Sequence, residues 1–374
     1  MKFDVSSTAL LSRLQAISKV IVNKNSLPIL DCFLFDLEGN LLTITASDAE
    51  TRMVTSVEVM NAEGSGLFAV SAKILLDPLK ELPEQPLTFD INDDNLEIFI
   101  HFQNGKYNFI GQKGDTYPQQ KPLSDTAVSL TLESSKLLNG ISRSLFATAE
   151  DELRPVMNGI YFDILPDSLT FVASDGHKLV RLRNLAIKSP ERASFILPKK
   201  PANLLKNILA KDSDMVIIKF DGNNVYVACN NFEMVCRLIE GRYPNYNSVI
   251  PKENPYKVTI DRVSFLNALK RVSIFSNPAS SLVKLHLSDG KMLVSAQDID
   301  FSYAAEELVT CQYEGAELSI GFKATYLIEI LGNISSDEVI FELADPSRAG
   351  VLVPSENEED EDLLMLLMPM MLND

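Results

Sequence analysis

Reactive side chains are scarce in this 374-residue chain. It holds three histidines, His101, His177 and His286, and four cysteines, Cys32, Cys229, Cys236 and Cys311. The histidines stand far apart, and neither a GxSxG nucleophile turn nor a phosphate-binding P-loop occurs. An enzyme would have only Asp175-Gly176-His177 to offer as an acid–base site. No CxxC pair is present, so a reduced, cytoplasmic chain is expected. Met1-Lys2-Phe3-Asp4 leads into an alternating strand pattern with no sign of a signal segment. Long apolar runs are missing too. The longest, Leu363–Leu372, is about ten residues and contains Pro369, too short to span a bilayer.

Repetition is what the sequence does have. A short alternating strand running into an apolar-striped helix occurs at Phe3–Leu14, Leu130–Ile141 and Val258–Leu269. The apolar positions superpose without gaps, from Phe3/Leu130/Val258 through Leu10/Leu137/Phe265 to Leu14/Ile141/Leu269. A second element pairs Phe35 with Ala46-Ser47-Asp48, then Phe162 with Ala173-Ser174-Asp175, then Leu285 with Ala296-Gln297-Asp298. A third, a strand feeding a Lys-led helix, follows at Phe68–Leu82, Phe195–Leu209 and Leu318–Leu331. Three kinds of element in one order, three times over, define three domains: 1–124, 125–252 and 253–374. Each is large enough to bury its own core. Helices with apolar residues at i, i+3/i+4 and i+7, such as Leu10, Leu14, Ile17 and Ile21, alternate with period-2 strands. The expected fold class is α+β: three two-layer units of two helices against antiparallel sheet. If the units join edge to edge, helices line one side of an arc, sheets line the other, and open edges at the ends invite a second copy.

Charge divides along the same lines. The net charge of −17 argues at first against a nucleic-acid partner. Yet the helical stretches 7–24, 134–149, 198–211 and 262–276 carry twelve basic residues and no acid, and 71–82 and 322–334 balance to zero. The six helices thus hold +12 and everything else −29. Solvated decoration explains one basic helix better than four in equivalent places. The helices form one electrostatic surface and the strands and loops another.

Several motifs carry a resemblance. Leu27-Pro28-Ile29-Leu30, Arg154-Pro155 with Met157-Asn158-Gly159, Ala173–Leu179, Gly241–Tyr246 with Pro251, Gly315–Phe322 and Met368-Pro369-Met370 stand in this order. Together they resemble the bacterial DNA polymerase III beta subunit, the replicative sliding clamp, over the whole chain. The resemblance implies a homodimeric ring around double-stranded DNA, helices inside and sheets outside, without cofactor, metal or membrane. Its partners would be the polymerase III catalytic subunit, the clamp loader and other proteins with the clamp-binding motif. Lys24, Lys73, Arg143, Lys199, Lys200 and Lys270 are then expected to contact phosphates without reading sequence. A pocket for partner tails would be lined by Met157, Ser174, Gly176, His177, Lys178, Leu179, Pro244, Val249, Leu366, Met368, Pro369 and Met370. Tyr107 and Phe109 of one chain would meet Ile274 and Phe275 of the other. Departures are Met371 and Ser248, where many clamps carry Arg. The acidic loop Pro354–Asp362 reads as solvated and mobile. A scaffold that binds peptides and no DNA is the alternative to a clamp, and the four acid-free helices stand against it.

Overall fold

The computed structural model describes residues 1–22, 25, 27–120, 122–209 and 214–372. Its helices are α1 Ser7–Ser18, α2 Ala72–Lys80, α3 Ser134–Ser144, α4 Lys199–Leu209, α5 Arg262–Val272 and α6 Ala324–Gly332. Each repeat runs strand, helix, four strands, helix, three strands. The first adds two short strands, Met60–Glu63 and Gln112–Lys113. The repeat extends to burial: Phe3, Leu130 and Val258 are all buried, whereas Leu11, Leu138 and Leu266 are all half-buried. A polar side chain starts the first helix of two repeats. Ser6 Oγ accepts from Ala9 N at 3.3 Å and Asp261 Oδ1 from Ser264 N at 2.7 Å, caps of about 1 kcal/mol each. Stacked rings recur in the cores, Phe35 on Phe68 at 5.2 Å and Phe162 on Phe195 at 4.4 Å. The third repeat has Leu285 and Leu318 in their place.

The chain divides into two compact units, Met1–Leu138 with Lys200–Leu238, and Asn139–Lys199 with Ile239–Asp374. The division passes through the central repeat, because strand pairing across each repeat boundary is as regular as pairing inside a repeat. Every sheet is antiparallel. In the first unit, a five-stranded sheet ends on Gly105–Ile110. Beside it a nine-stranded sheet crosses from the first repeat to the second where Thr51–Glu58 pairs with Phe232–Arg237, from Thr51↔Cys236 to Thr55↔Phe232. The second unit holds a twelve-stranded sheet that crosses from the second repeat to the third. There Lys178–Asn184 pairs with Glu361–Leu367, from Lys178↔Leu367 to Asn184↔Glu361. Edge-to-edge joining therefore occurs at both junctions.

The equivalent aspartates share one task. Asp48 Oδ1 accepts from Glu50 N and Thr51 N at 2.8 and 2.6 Å, and Asp175 Oδ1 from His177 N and Lys178 N, both at 2.9 Å. Asp298 Oδ1 accepts from Asp300 N and Phe301 N at 3.0 and 3.4 Å. A short carboxylate that ties its own following backbone is a turn former. The acid–base reading of Asp175 has no support in this geometry. The acidic loop is exposed over 355–360, as expected of a solvated segment, yet three of its acids find partners. Glu358 pairs with Arg143 at 2.7 Å and Asp362 with Arg181 at 2.8 Å, while Glu361 accepts from Asn139 Nδ2 at 2.8 Å. Its acids clamp the third repeat onto the second.

Candidate functional site

The second junction gathers most residues expected at the partner site. Strands Ser168–Ser174 and Lys178–Asn184 form a hairpin whose turn, Asp175–His177, stands at the end of the joint. Gly176 adopts φ +91°, a conformation that disfavours side chains and lets the turn close tightly. Ser174 Oγ donates to Lys178 O at 2.8 Å and accepts from Gly176 N at 3.1 Å. Leu179 lies opposite Leu366 in register. Past the strand, Met368 N donates to His177 O at 2.8 Å, and Met370 N donates to Gly321 O at 2.8 Å. The tail is thereby laid along the edge of Leu318–Lys323. Glycine is required at 321 because a Cβ there would lie 2.7 Å from the Met370 carbonyl oxygen.

The floor is apolar. Leu179 and Leu366 pack with Val172, Ile196, Tyr243 and Tyr246 in one buried cluster, with Val156, Ile250 and Leu364 against it. Tyr161 stacks on Tyr243 at 4.7 Å, and Tyr246 Oη donates to Asp163 Oδ2 at 2.9 Å. Burial, with the nearby Asp163 charge, pushes the Tyr246 phenol up to about 12. Met157 is buried at the end of a short helical turn begun by Pro155. Gly176, His177, Pro244, Val249 and Met368 are exposed around this floor, and Pro369 and Met370 are half-buried. Exposed apolar side chains beside a buried apolar floor suit an apolar tail, and flexible methionine adapts to several. Sequence reasoning missed the tyrosines and Ile196. The signal was the Tyr-Pro-x-Tyr run at Tyr243–Tyr246, of which only Pro244 was assigned.

Lys178 is held beneath the turn. Its ammonium is buried between Asp175 at 2.9 Å and Glu329 at 3.1 Å, 4.1 Å from the Tyr326 ring centre. It is a fixed strut and does not line the surface. Burial works to raise the Asp175 carboxyl, but the bonds from Lys178 and His177 overcome it and hold it below its ordinary range. Burial likewise works against the Lys178 ammonium, and Asp175 and Glu329 leave its pKa raised. Met371 is exposed, and Ser248 turns its hydroxyl onto Asn245 O at 2.6 Å.

The expected phosphate contacts fall into two groups. Lys73 on α2 and Lys270 on α5 are exposed, and neither meets a carboxylate among the described residues. Lys199 pairs with Glu150. Lys200 and Arg143 also have partners. Lys200 Nζ donates to Val20 O at 2.7 Å and clasps Asp48 Oδ2. Arg143 gives its guanidinium to Asn139 Oδ1, Asn333 O, Ser335 Oγ and Glu358. Both have partners within their own units. Lys24 lies outside the described residues.

Each unit also leaves a strand edge open. Tyr107 and Phe109 sit half-buried on Gly105–Ile110, which pairs only with Glu97–Phe102 among the described residues. In the second unit, Tyr303–Gln312 pairs along its length with Lys291–Asp298, but on its other side only Cys311 and Gln312 find partners among the described residues. Ile274 is 76% exposed and Phe275 39%. Ile299, Phe301, Tyr303 and Leu308, which sequence reasoning missed, are exposed too. Unpaired edges flanked by exposed apolar side chains are association surfaces.

No described helix is long and apolar enough to cross a membrane. Sequence profiles of the DNA polymerase III beta subunit match in order, the N-terminal domain over residues 1–121, the central domain over 131–245 and the C-terminal domain over 247–371. The beta sliding clamp of Pseudomonas putida is 28% identical over 98% of this chain and 99% of its own. A crystal structure of the sliding clamp, DNA polymerase III subunit beta, from Pseudomonas aeruginosa bound to griselimycin superposes with a TM-score of 0.94, at 28% identity over 100% of both chains. The beta subunit from Thermotoga maritima gives 0.90 at 25% identity, again over 100% of both. With all three repeats matched in order and the fold shared from end to end, the chain belongs to the DNA polymerase III beta-subunit family, the beta sliding clamps.

Proposed function

We propose that two copies of this chain close into a ring around duplex DNA, each contributing domains 1–124, 125–252 and 253–374, with helices facing the DNA and sheets facing solvent. The observation that carries this reading is the pattern of edges. Sheets run unbroken across both junctions, and the open strands Gly105–Ile110 and Tyr303–Gln312 belong to the first and last repeats. Pairing them between copies would satisfy both and bring Tyr107 and Phe109 to Ile274 and Phe275. Lys106 on the first edge complements Glu306 and Glu307 on the second.

The family is a processivity factor and makes or breaks no bond. Exposed lysines such as Lys73 and Lys270 attract phosphates without reading bases, and weak, numerous contacts permit sliding. Retention is topological, so it resists salt once the ring is closed. The acidic remainder of the surface repels DNA from the outside. The second junction takes short tails of the type Gln-Leu-x-Leu-Phe from the polymerase III catalytic subunit, the clamp loader and other clamp-binding proteins. No cofactor or metal takes part. The four cysteines are buried and form no disulfide, which suits a reducing cytoplasm.

Loading with a clamp loader and ATP onto nicked circular plasmid tests the ring. Protein should stay on the circle in high salt and be lost when the plasmid is linearised. Equal retention on both forms would leave the peptide-scaffold reading standing. Lys73→Glu with Lys270→Glu should reduce loading alike on unrelated DNA sequences while unfolding is unchanged, and a sequence-dependent loss would contradict sliding.

A further inference from the structure

The first junction is built like the second, position for position. Ile29, Leu30, Leu34, Ala69 and Tyr117 form one buried cluster. They occupy the repeat positions of Val156, Met157, Tyr161, Ile196 and Tyr243, which frame the apolar floor of the second junction. The short helical turn begun by Pro28 answers the one begun by Pro155. Arg237 N donates to Glu50 O at 2.9 Å, as Met368 N donates to His177 O at 2.8 Å. The frame is the same, and an open space of about 260 Å³ lies where a tail would enter.

The rim is where the two part. Arg52 stands at the position of Leu179, opposite Val235 as Leu179 is opposite Leu366. Arg237 stands at the position of Met368, and Gln120 at that of Tyr246. The Arg52 guanidinium crosses the entrance and donates to Pro118 O at 3.1 Å. An apolar side chain seated there would have to displace that bond and would strand a partly buried cation against hydrocarbon. In the second junction the same step meets leucine and methionine and costs nothing polar.

We propose that Arg52 and Arg237 are the specificity determinants that exclude apolar partner tails from the first junction, so that each protomer carries one tail site although it has two junctions of like frame. This rests on the reading of the second junction as the tail site. Replacing both arginines by the residues of the second junction opens a second site.

Calorimetry with a Gln-Leu-x-Leu-Phe peptide tests it on the full chain. Wild type should bind one peptide per protomer and Arg52→Leu with Arg237→Met should bind two. A stoichiometry that stays at one in a folded variant overturns the proposal. Wild type that binds no peptide at all would instead remove the second junction as the tail site. Should the double variant melt early, Arg52→Leu alone removes the guanidinium that crosses the entrance and decides by photo-crosslinking. A photo-reactive leucine in the peptide should label the Ser47–Arg52 segment in that variant and not in wild type. Labelling of that segment in wild type, or in neither, overturns the proposal.

Discussion

In the first junction the Asp48 carboxylate is clasped by Lys200, which reaches it from the start of α4. In the second, Asp175 is held by Lys178 of its own hairpin, with Glu329 and Tyr326 of α6 closing over the ammonium. Thr51 occupies the repeat position of Lys178. The same backbone turn thus has its second carboxylate oxygen satisfied from two different directions. Where the clasp comes from the neighbouring helix, the turn is pinned to that helix. Where it comes from within the hairpin, Gly176 and His177 are left standing clear as one side of the proposed tail site. Duplication preserved the hydrogen-bonded frame, and individual function entered through the side chains that fill it.

The largest expected effect breaks the two clasps separately. Removing one member of a buried ion pair leaves an uncompensated charge, at a cost of about 3 kcal/mol or more. Lys178→Met should approach that value, since its side chain is 6% exposed and strands both Asp175 and Glu329. Lys200→Met should cost about 1 kcal/mol, because its side chain is 38% exposed and water screens what remains. Urea unfolding midpoints measure both. A larger loss for Lys200 would reverse the ranking of the two clasps. The pH dependence follows from the directions of the shifts. Asp175 is depressed in the fold, so its contribution is present above the unfolded carboxylate pKa of about 4 and is lost as pH falls through the lower folded value. Lys178 is raised, so its contribution is complete below the unfolded value of about 10.4 and disappears as pH rises through the higher folded one. The stability gap between wild type and Asp175→Asn should therefore be flat near neutrality and shrink in acid.

A second effect sharpens the role of the tail, which the first junction answers with the chain that continues past Arg237. Gly321→Ala puts a methyl group against the Met370 carbonyl oxygen and Leu372. The tail should lift from Leu318–Lys323 and carry Met368 off the floor. Peptide affinity should fall about tenfold, or about 1.4 kcal/mol, while the unfolding midpoint hardly moves. Unchanged affinity would mean that the tail does not position Met368.

Much of this was legible before any coordinates. The apolar register from Phe3 to Leu269 gave three like units, because burial of a helix stripe and a strand face leaves a period that survives divergence. The turn role of Asp175 was legible from Asp48 and Asp298. The carboxylate partners of Arg143, Lys200 and Lys178 were not legible, since a basic residue on a helix or hairpin reads the same whether its partner is solvent, phosphate or a carboxylate brought in from elsewhere. Glu358 is 215 residues from Arg143 and Asp48 is 152 from Lys200. No local pattern carries such pairs. The tyrosine floor was missed for a related reason. Tyr243 and Tyr246 lie in a linker between repeats, where periodicity gives no signal, and only the second junction's fold brings them to Leu179 and Leu366.

The smallest expected effect concerns His177, whose counterpart in the first junction is Glu50. Both residues serve the frame through the main chain: each donates its N–H to the turn aspartate, and each carbonyl accepts from the incoming strand. Truncating either side chain leaves those bonds intact, so His177→Ala and Glu50→Ala should both unfold close to wild type. They should differ only in peptide binding. The His177 ring is exposed, 6.1 Å from the Tyr326 ring and close to stacking on it, so it can frame one side of the tail site. Its loss should weaken a tail by less than about 1 kcal/mol, far below the 1–3 kcal/mol expected for a buried anchor such as Leu179. Glu50→Ala should leave tail affinity unchanged, because Arg52 already excludes the tail from its junction. Calorimetry on the two variants side by side decides. An equal loss in both would mean that the second junction gains nothing from its histidine, and a loss above that of Leu179→Ala would make His177 itself the anchor.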